Sequence, residues 1–249
     1  MPIYFGSRLI KEARVGTQLY DGYVGSQMVH GKSYEANFED NSWEQIISAC
    51  KSGNVPETWV VGNQKAMTIG GNSYLIDIIG KNHDTYTRGG TAPLTFQMHD
   101  LYGTTYPMNS TNTNKDGYGG SLMHTTHLPA IKALMPSEVQ AAIKPVNKLC
   151  GLGYGASSGV ETVSCDLFLL SEIEIFGSTT MSVSGEGMQY AYYVAGNSKV
   201  KNRSGSASKW WERSPLSSNR ANFCCVSDSG KASNSIADYR KGVAFGFCF

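Results

Sequence analysis

The chain carries little charge for its length. Of its 249 residues, 16% are Asp, Glu, Lys or Arg, and the formal net charge is +1. Proteins that hold a phosphate backbone or an anionic membrane surface need basic residues in excess and in clusters. We therefore expect neither nucleic acid nor a membrane surface as a partner.

Long apolar runs are missing as well. No run approaches the roughly 18 apolar residues that a membrane-spanning helix needs, and the N-terminus lacks the basic-then-apolar pattern of a secretory signal. The sequence thus predicts no membrane insertion and a chain synthesised in the cytoplasm. Its 28 glycines and 14 tyrosines favour a loop-rich protein with much β structure.

Cysteine motifs are also absent, because the six cysteines are unevenly spaced and form no C-x-x-C pair. We expect small buried hydrophobic side chains rather than disulfides or metal ligands, and no cofactor. These residues are Cys50, Cys150, Cys165, Cys224, Cys225 and Cys248.

Catalytic signatures are equally scarce, since the chain has no nucleophile elbow, P-loop or dinucleotide fingerprint. His124 and His127 would share a helix face, but no acidic or cysteine partner stands at zinc spacing nearby. Glu172 and Glu174 alternate with apolar residues on a predicted strand, which favours a solvated face or a structural ion pair with Arg213. Glu212 is a second candidate to pair with Arg213. The sequence predicts a protein that is not an enzyme.

What the sequence does contain begins with a short repeat at residues 4–10, 14–20 and 23–29, each centred on Gly-Ser or Gly-Thr. Each unit predicts strand, turn, strand. Strands this short cannot bury a face alone, so we expect residues 1–38 to form a β-rich module for attachment or oligomerisation. The alternative is a meander that covers a sheet edge.

Residues 39–249 mix helix and strand signals, which predicts the α+β class with irregular loops. Ser42 begins a helix with a capping box, and residues 59–79 alternate as antiparallel strands with Gly-rich turns. A second box at Ser137 predicts a helix over 137–149, interrupted by Pro145. Loops are predicted from polar composition at residues 106–121, 151–164, 185–203, 216–222 and 227–241.

The stretch from Trp210 to Phe249 has apolar ends around a polar middle. In its closing strand, side-chain alternation places Phe245, Phe247 and Phe249 on one face and Gly246 and small residues on the other. The sequence therefore predicts a C-terminus fixed in a sheet, with surface loops before it.

By its segments 210–215, 242–245 and 169–177, the chain resembles a large bacterial and phage domain family. Members of that family look like the formylglycine-generating-enzyme branch of the C-type-lectin fold. The resemblance covers residues 41–249 and implies this C-type-lectin-like fold. The N-terminal repeat is similar to segments of phage tail and fibre proteins, which implies a virion location in the phage tail and a homotrimer attached to other tail proteins.

In that branch, several proteins are variable targets of diversity-generating retroelements, which rewrite codons near the C-terminus. The resemblance therefore implies a receptor-binding protein that recognises a host cell-surface protein or glycan through loops between residues 206 and 241. Adaptable polar residues and Tyr at loop tips suit such contacts. The candidate ligand-binding residues are Lys209, Leu216, Asn219, Arg220, Asn222, Asp228, Lys231, Asn234, Ile236, Asp238, Tyr239 and Arg240.

Two other functions stay open on the same fold. One is a bacterial surface adhesin. The other is an oxidase of the formylglycine-generating type, which uses a pair of cysteines to bind copper. Cys224 and Cys225 are adjacent, and adjacent residues of a strand point to opposite faces, so they do not form a chelating pair.

Overall fold

The computed structural model describes residues 34–156 and 158–249, together with six short strands among residues 1–33. The chain divides into two compact units, residues 1–59 and residues 60–249. This division falls about 20 residues after the 38/39 boundary that the sequence predicts. No helix among the described residues is long and apolar enough to cross a membrane.

The first unit begins with three antiparallel strand pairs, as the repeat predicts. Their strands are β1 (Tyr4–Phe5) with β2 (Arg8–Leu9), β3 (Arg14–Val15) with β4 (Gln18–Leu19), and β5 (Gly22–Val24) with β6 (Gln27–Val29). The Gly-Ser and Gly-Thr turns lie outside the described residues.

An aromatic cluster closes the first unit and explains where it ends. A 3-10 turn at Phe38–Asp40 precedes helix α1 (Trp43–Ser52), whose capping box at Ser42 and Gln45 is confirmed. Trp59 is fully buried, its ring lies 5.4 Å from that of Phe38, and its indole N–H donates to the carbonyl of Glu35. Residues up to Trp59 therefore complete the core of this unit.

A five-stranded sheet forms the centre of the second unit, in the order β12-β18-β9-β8-β7. Its strands are β7 (Gln64–Ile69), β8 (Asn72–Lys81), β9 (Leu94–Met98), β12 (Leu167–Phe168) and β18 (Gly246–Cys248). The C-terminal strand β18 lies between β12 and β9, as a C-terminus fixed in a sheet predicts. A Cβ at Gly246 would lie 2.8 Å from the ring of Phe168, so this face requires glycine.

Two smaller sheets and a short strand pair complete the β structure of the described residues. β10 (Val146–Gly151) pairs with β11 (Val160–Cys165), and β13 (Asn202–Arg203) pairs with β14 (Ser206–Ala207). β15 (Trp210–Pro215), β16 (Asn222–Val226) and β17 (Ala232–Ile236) form a three-stranded antiparallel sheet in that order. The polar loops predicted over 151–164 and 227–241 are wrong where β11 and β17 form, because cross-strand pairing overrides their composition.

The helices of the second unit are short. They are a π-helical turn at Met123–His127, α2 (Leu128–Lys132), α3 (Ser137–Ala142), α4 (Glu172–Phe176) and α5 (Ala191–Val194). The helix predicted over 137–149 ends at Ala142, and Ser137 makes no capping bond because Pro136 occupies the N-cap position. The residues around Pro145 leave the helix and lead into β10.

The predicted strand through Glu172 and Glu174 is wrong, because this segment is α4. Ser171 accepts a hydrogen bond from the backbone of Glu174, whose carboxylate accepts one from the backbone of Ser171. This reciprocal capping box starts a helical turn that the apolar alternation hides. The surface segment predicted over 185–203 is also wrong in part, since Tyr190, Tyr192 and Tyr193 are buried.

Candidate functional site

A buried chain of alternating charges supports the second unit. The Lys148 ammonium lies 2.8 Å from an Asp84 oxygen and 2.6 Å from a Glu174 oxygen. The Arg213 guanidinium contacts both Glu174 oxygens. Burial alone would raise the carboxyl pKa values, but the two cations lower the pKa of Glu174, and Lys148 lowers the pKa of Asp84 to about 2. All four groups are therefore ionised and their charges balance.

Besides its ion pair with Glu174, Arg213 also holds neighbouring backbone segments together. Its guanidinium donates hydrogen bonds to the carbonyls of Leu149, Leu169 and Glu186. The predicted structural pair between Arg213 and a glutamate of the 172–174 segment is confirmed for Glu174 alone. The pair predicted between Arg213 and Glu212 is wrong, because neither side-chain oxygen of Glu212 has a hydrogen-bond partner among the described residues.

Glu172 has a different task, which is to fix a loop. Its carboxylate accepts hydrogen bonds from the backbone and hydroxyls of Thr180 and Ser182 and from the backbone of Met181. Burial raises the pKa of Glu172, but these hydrogen bonds lower it further than burial raises it. Ser217 in turn donates through its backbone and its hydroxyl to the Met181 carbonyl, so this loop supports the segment that follows β15.

Four loops of the second unit meet at one surface, and the side chain of Asn114 joins three of them. Its amide nitrogen donates to the carbonyls of Asn219 and Asn222, at 2.8 Å and 2.7 Å. Its amide oxygen accepts from the backbone of Tyr154 at 2.8 Å. Asn114 is fully buried, so the positions of these loops relative to one another are fixed from beneath.

The fourth loop joins through backbone hydrogen bonds. The Ala237 carbonyl accepts from Met108 and its N–H donates to Ala221, both at 2.8 Å. Tyr106 and Lys241 exchange two backbone hydrogen bonds further along. We call the four loops, residues 105–117, 152–156, 216–222 and 237–241, the loop surface.

Two arginines of the loop surface lie over tyrosine rings. The Arg220 guanidinium carbon is 4.3 Å from the ring centre of Tyr154, and that of Arg240 is 5.6 Å from the ring centre of Tyr106. Arg240 also donates to the backbone carbonyl and the hydroxyl of Thr105. These contacts hold both guanidinium groups in place at the surface, where Tyr154 keeps half of its area exposed.

The predicted ligand-binding residues fall into three groups by burial. Leu216 is 8% exposed and belongs to the core, so we leave it out of the loop surface contacts. Asn222 and Ile236 are half-buried, and the side-chain amide of Asn222 donates a hydrogen bond to the side-chain oxygen of Asn234. The exposed ones are Lys209, Asn219, Arg220, Asp228, Lys231, Asn234, Asp238, Tyr239 and Arg240.

The structure divides the exposed residues between separate places. Asn219, Arg220, Asp238, Tyr239 and Arg240 lie on the loop surface, whereas the others lie on β17, its preceding turn, or before β15. Tyr106 and Tyr154 were not among the predicted ligand-binding residues, although both lie on predicted loops, far from the C-terminus. Their loops were identifiable by composition, but nothing in the sequence pairs them with particular arginines.

Copper does not fit the cysteines of this chain. Cys224 and Cys225 point to opposite faces of β16, and all six cysteines are buried, as predicted. Burial raises the pKa of Cys225 to about 11 and that of Cys224 well above its ordinary value, so neither is a thiolate at neutral pH. In residues 34–156 and 158–249, no three His, Cys, Asp or Glu side chains are placed to hold a metal ion together.

Comparison with known protein families gives a match over more than half of the chain. The family described as "Domain of unknown function (DUF6273)" matches residues 95–248, which include β9, the loop surface and β18. Searches of curated proteins and of solved structures found no significant match.

Proposed function

The chain belongs to the DUF6273 family, and we propose that it is a receptor-binding protein that recognises its ligand through the loop surface. One observation carries this proposal. Arg220 and Arg240 are exposed, yet each is held over a tyrosine ring on loops that Asn114 and backbone hydrogen bonds fix from below. Arginine and tyrosine supply much of the binding energy at protein interfaces, and side chains already in position lose little entropy on binding.

The ligand in this proposal is a protein or glycan on the surface of a bacterial host, and the protein is part of a phage tail. The loop surface suits a ligand with a polar surface, because its exposed groups combine amides, guanidinium groups and tyrosine rings. Tyr239 is 54% exposed, and its ring lies 5.2 Å from the Lys241 ammonium. Nothing in the described chain favours an enzyme, and the cysteines oppose the copper oxidase.

Binding to bacterial cells tests the proposal. We expect Arg240→Ala and Arg220→Ala each to weaken binding about thirtyfold, which corresponds to about 2 kcal/mol for an interface hot spot. The melting temperature should change little, because exposed loop substitutions cost about 0.5 kcal/mol. Labelled protein is measured on cells of the bacterium that carries the gene and on its close relatives.

The matched control is Arg88→Ala, which removes an exposed arginine outside the loop surface and should leave binding unchanged. Treating the cells with protease or with periodate separates a protein ligand from a glycan. Equal binding by Arg88→Ala, Arg240→Ala and Arg220→Ala would rule out the loop surface as the contact.

We propose in addition that residues 1–38 attach the protein to other tail proteins as a homotrimer. The support is the three strand pairs, each too short to be stable alone. Deleting residues 1–30 should lower the mass of the assembly measured by light scattering, while the second unit stays folded. An unchanged mass would assign the association to the second unit.

We assign the finer fold, C-type-lectin-like of the formylglycine-generating-enzyme type, as a proposal as well. Its support is the α+β architecture with long irregular loops and a C-terminal strand inside the sheet.

Retroelement diversification of residues 206–241 is tested on the gene. A near-copy of its 3′ end beside a reverse transcriptase, differing mainly at adenines, is the expected finding, and its absence would remove this part of the proposal.

A further inference from the structure

Strand β17 ends the three-stranded sheet with an open edge. Among the described residues it pairs with β16 on one side only, in a regular register from Asn222 opposite Ile236 to Val226 opposite Ala232. Open edges are usually blunted by charge, proline or a bulge within the strand. The sequence of β17, Ala-Ser-Asn-Ser-Ile, has none of these.

The hydrogen bonds at both ends of the pairing show which backbone groups face the open edge. Ala237 donates to the Ala221 carbonyl, and Ser227 donates to the Lys231 carbonyl, both at 2.8 Å. Hydrogen-bonded pairs alternate along an antiparallel ladder, so Ser233 and Ser235 also face β16. The N–H and C=O groups of Ala232, Asn234 and Ile236 therefore point away from the sheet.

These outward groups are almost all without a backbone partner. Within residues 34–156 and 158–249, only the Ile236 carbonyl accepts a backbone hydrogen bond, from the following turn at Tyr239. A carbonyl oxygen has a second lone pair and can accept another bond. The edge thus offers three donors and three acceptors in alternation, centred on Asn234.

We propose that this edge pairs with the β17 edge of a second copy of the chain, antiparallel and centred on Asn234. A two-fold axis there places Asn234 opposite its own copy and Ala232 opposite Ile236. All outward donors and acceptors of both strands are then satisfied, by six hydrogen bonds between the copies. A strand of any other sequence would satisfy the same backbone groups. The choice of a second copy as the partner therefore depends on the side chains.

Charge complementarity favours the second copy. Lys231 precedes β17 and Asp238 follows it, both are exposed, and neither forms an ion pair within the described residues. Antiparallel pairing centred on Asn234 places Lys231 of one copy opposite Ala237 of the other, next to its Asp238. Both ends of the joined strands then carry one positive side chain, Lys231 of one copy, and one negative side chain, Asp238 of the other.

Cross-linking tests the register directly. Asn234→Cys places two thiols opposite each other, with Cα atoms about 5.5 Å apart, within the range of a disulfide. Under mild oxidation we expect a dimer band on a non-reducing denaturing gel, since the native cysteines are buried. Asp228→Cys, exposed but outside the paired strand, is the control and should stay single. No dimer for Asn234→Cys, or equal dimer for both, would overturn the proposal.

A second pair of variants tests the contact without a new bond. Asn234→Pro removes the central outward N–H and keeps the hydrogen bonds of Ser233 and Ser235 to β16, so the fold should persist while light scattering shows a lower mass. Asn234→Ala keeps the N–H and should keep the mass. Lys231→Asp should weaken pairing about tenfold through its two ion pairs, and adding Asp238→Lys should restore it. Loss of pairing that the double reversal fails to restore would contradict the charge contact.

Discussion

Glu174→Gln is expected to lower the free energy of unfolding by about 3–5 kcal/mol, the cost of removing one partner from a buried ion pair. The carboxylate of Glu174 lies between Lys148 and Arg213, and all three side chains are almost fully buried. The amide leaves two buried cations with only Asp84 to balance them. Chemical denaturation at neutral pH measures the loss.

The control for this variant is Asp166→Asn, which makes the same chemical change in an ion pair near the surface. The Asp166 carboxylate lies 2.6 Å from Lys132, but its side chain is 46% exposed, so water screens the pair. We expect a cost below about 1 kcal/mol. Similar losses for both variants would mean that the buried charge chain does not stabilise the fold more than a surface pair.

The buried ion pairs of Asp84, Lys148, Glu174 and Arg213 show how far the sequence predicts the core. A structural pair between Arg213 and one of two glutamates follows from the sequence, but the choice of Glu174 does not. It depends on α4, which the apolar alternation of this segment does not predict and which begins at a capping box formed by Ser171 and Glu174. Asp84 and Lys148, more than 60 residues apart along the chain, give no local signal for their contact.

The strands were predictable where their apolar pattern is strong. β7, β8 and β18 follow from alternation and from Gly-rich turns. β17 does not, because Ser and Asn dominate it and only pairing with β16 makes it a strand. The same difference holds for the candidate site, since the exposed loop residues follow from composition but the tyrosines beneath Arg220 and Arg240 depend on tertiary contacts.

Glu212 should make the protein less stable as the pH rises above the ordinary range of a glutamate. Its carboxyl is fully buried in β15 and has no hydrogen-bond partner among the described residues. Burial raises its pKa well above the usual value, and the nearby charges of Glu172 and Glu186 raise it further. The folded protein therefore keeps the proton of Glu212 at pH values where the unfolded chain has released it.

The sign of the effect follows from proton binding. Below a pH of about 4.3, both folded and unfolded states hold the proton and Glu212 contributes no pH dependence. As the pH rises from there to the pKa in the folded protein, the unfolded state binds fewer protons, and stability falls by about 1.4 kcal/mol per pH unit. Glu186, whose pKa burial also raises, adds to this fall.

Glu212→Gln removes a titrating group and keeps the shape of the side chain, so it tests this account through the pH slope. We expect the unfolding free energy of the variant, relative to the natural chain, to increase steadily as the pH rises from about 4.5 toward the raised pKa of Glu212 in the folded protein. Denaturation of both proteins at a series of pH values measures it. A difference for Glu212→Gln that does not grow with pH would mean that Glu212 is already ionised in the folded protein, and that a counter-charge reaches it.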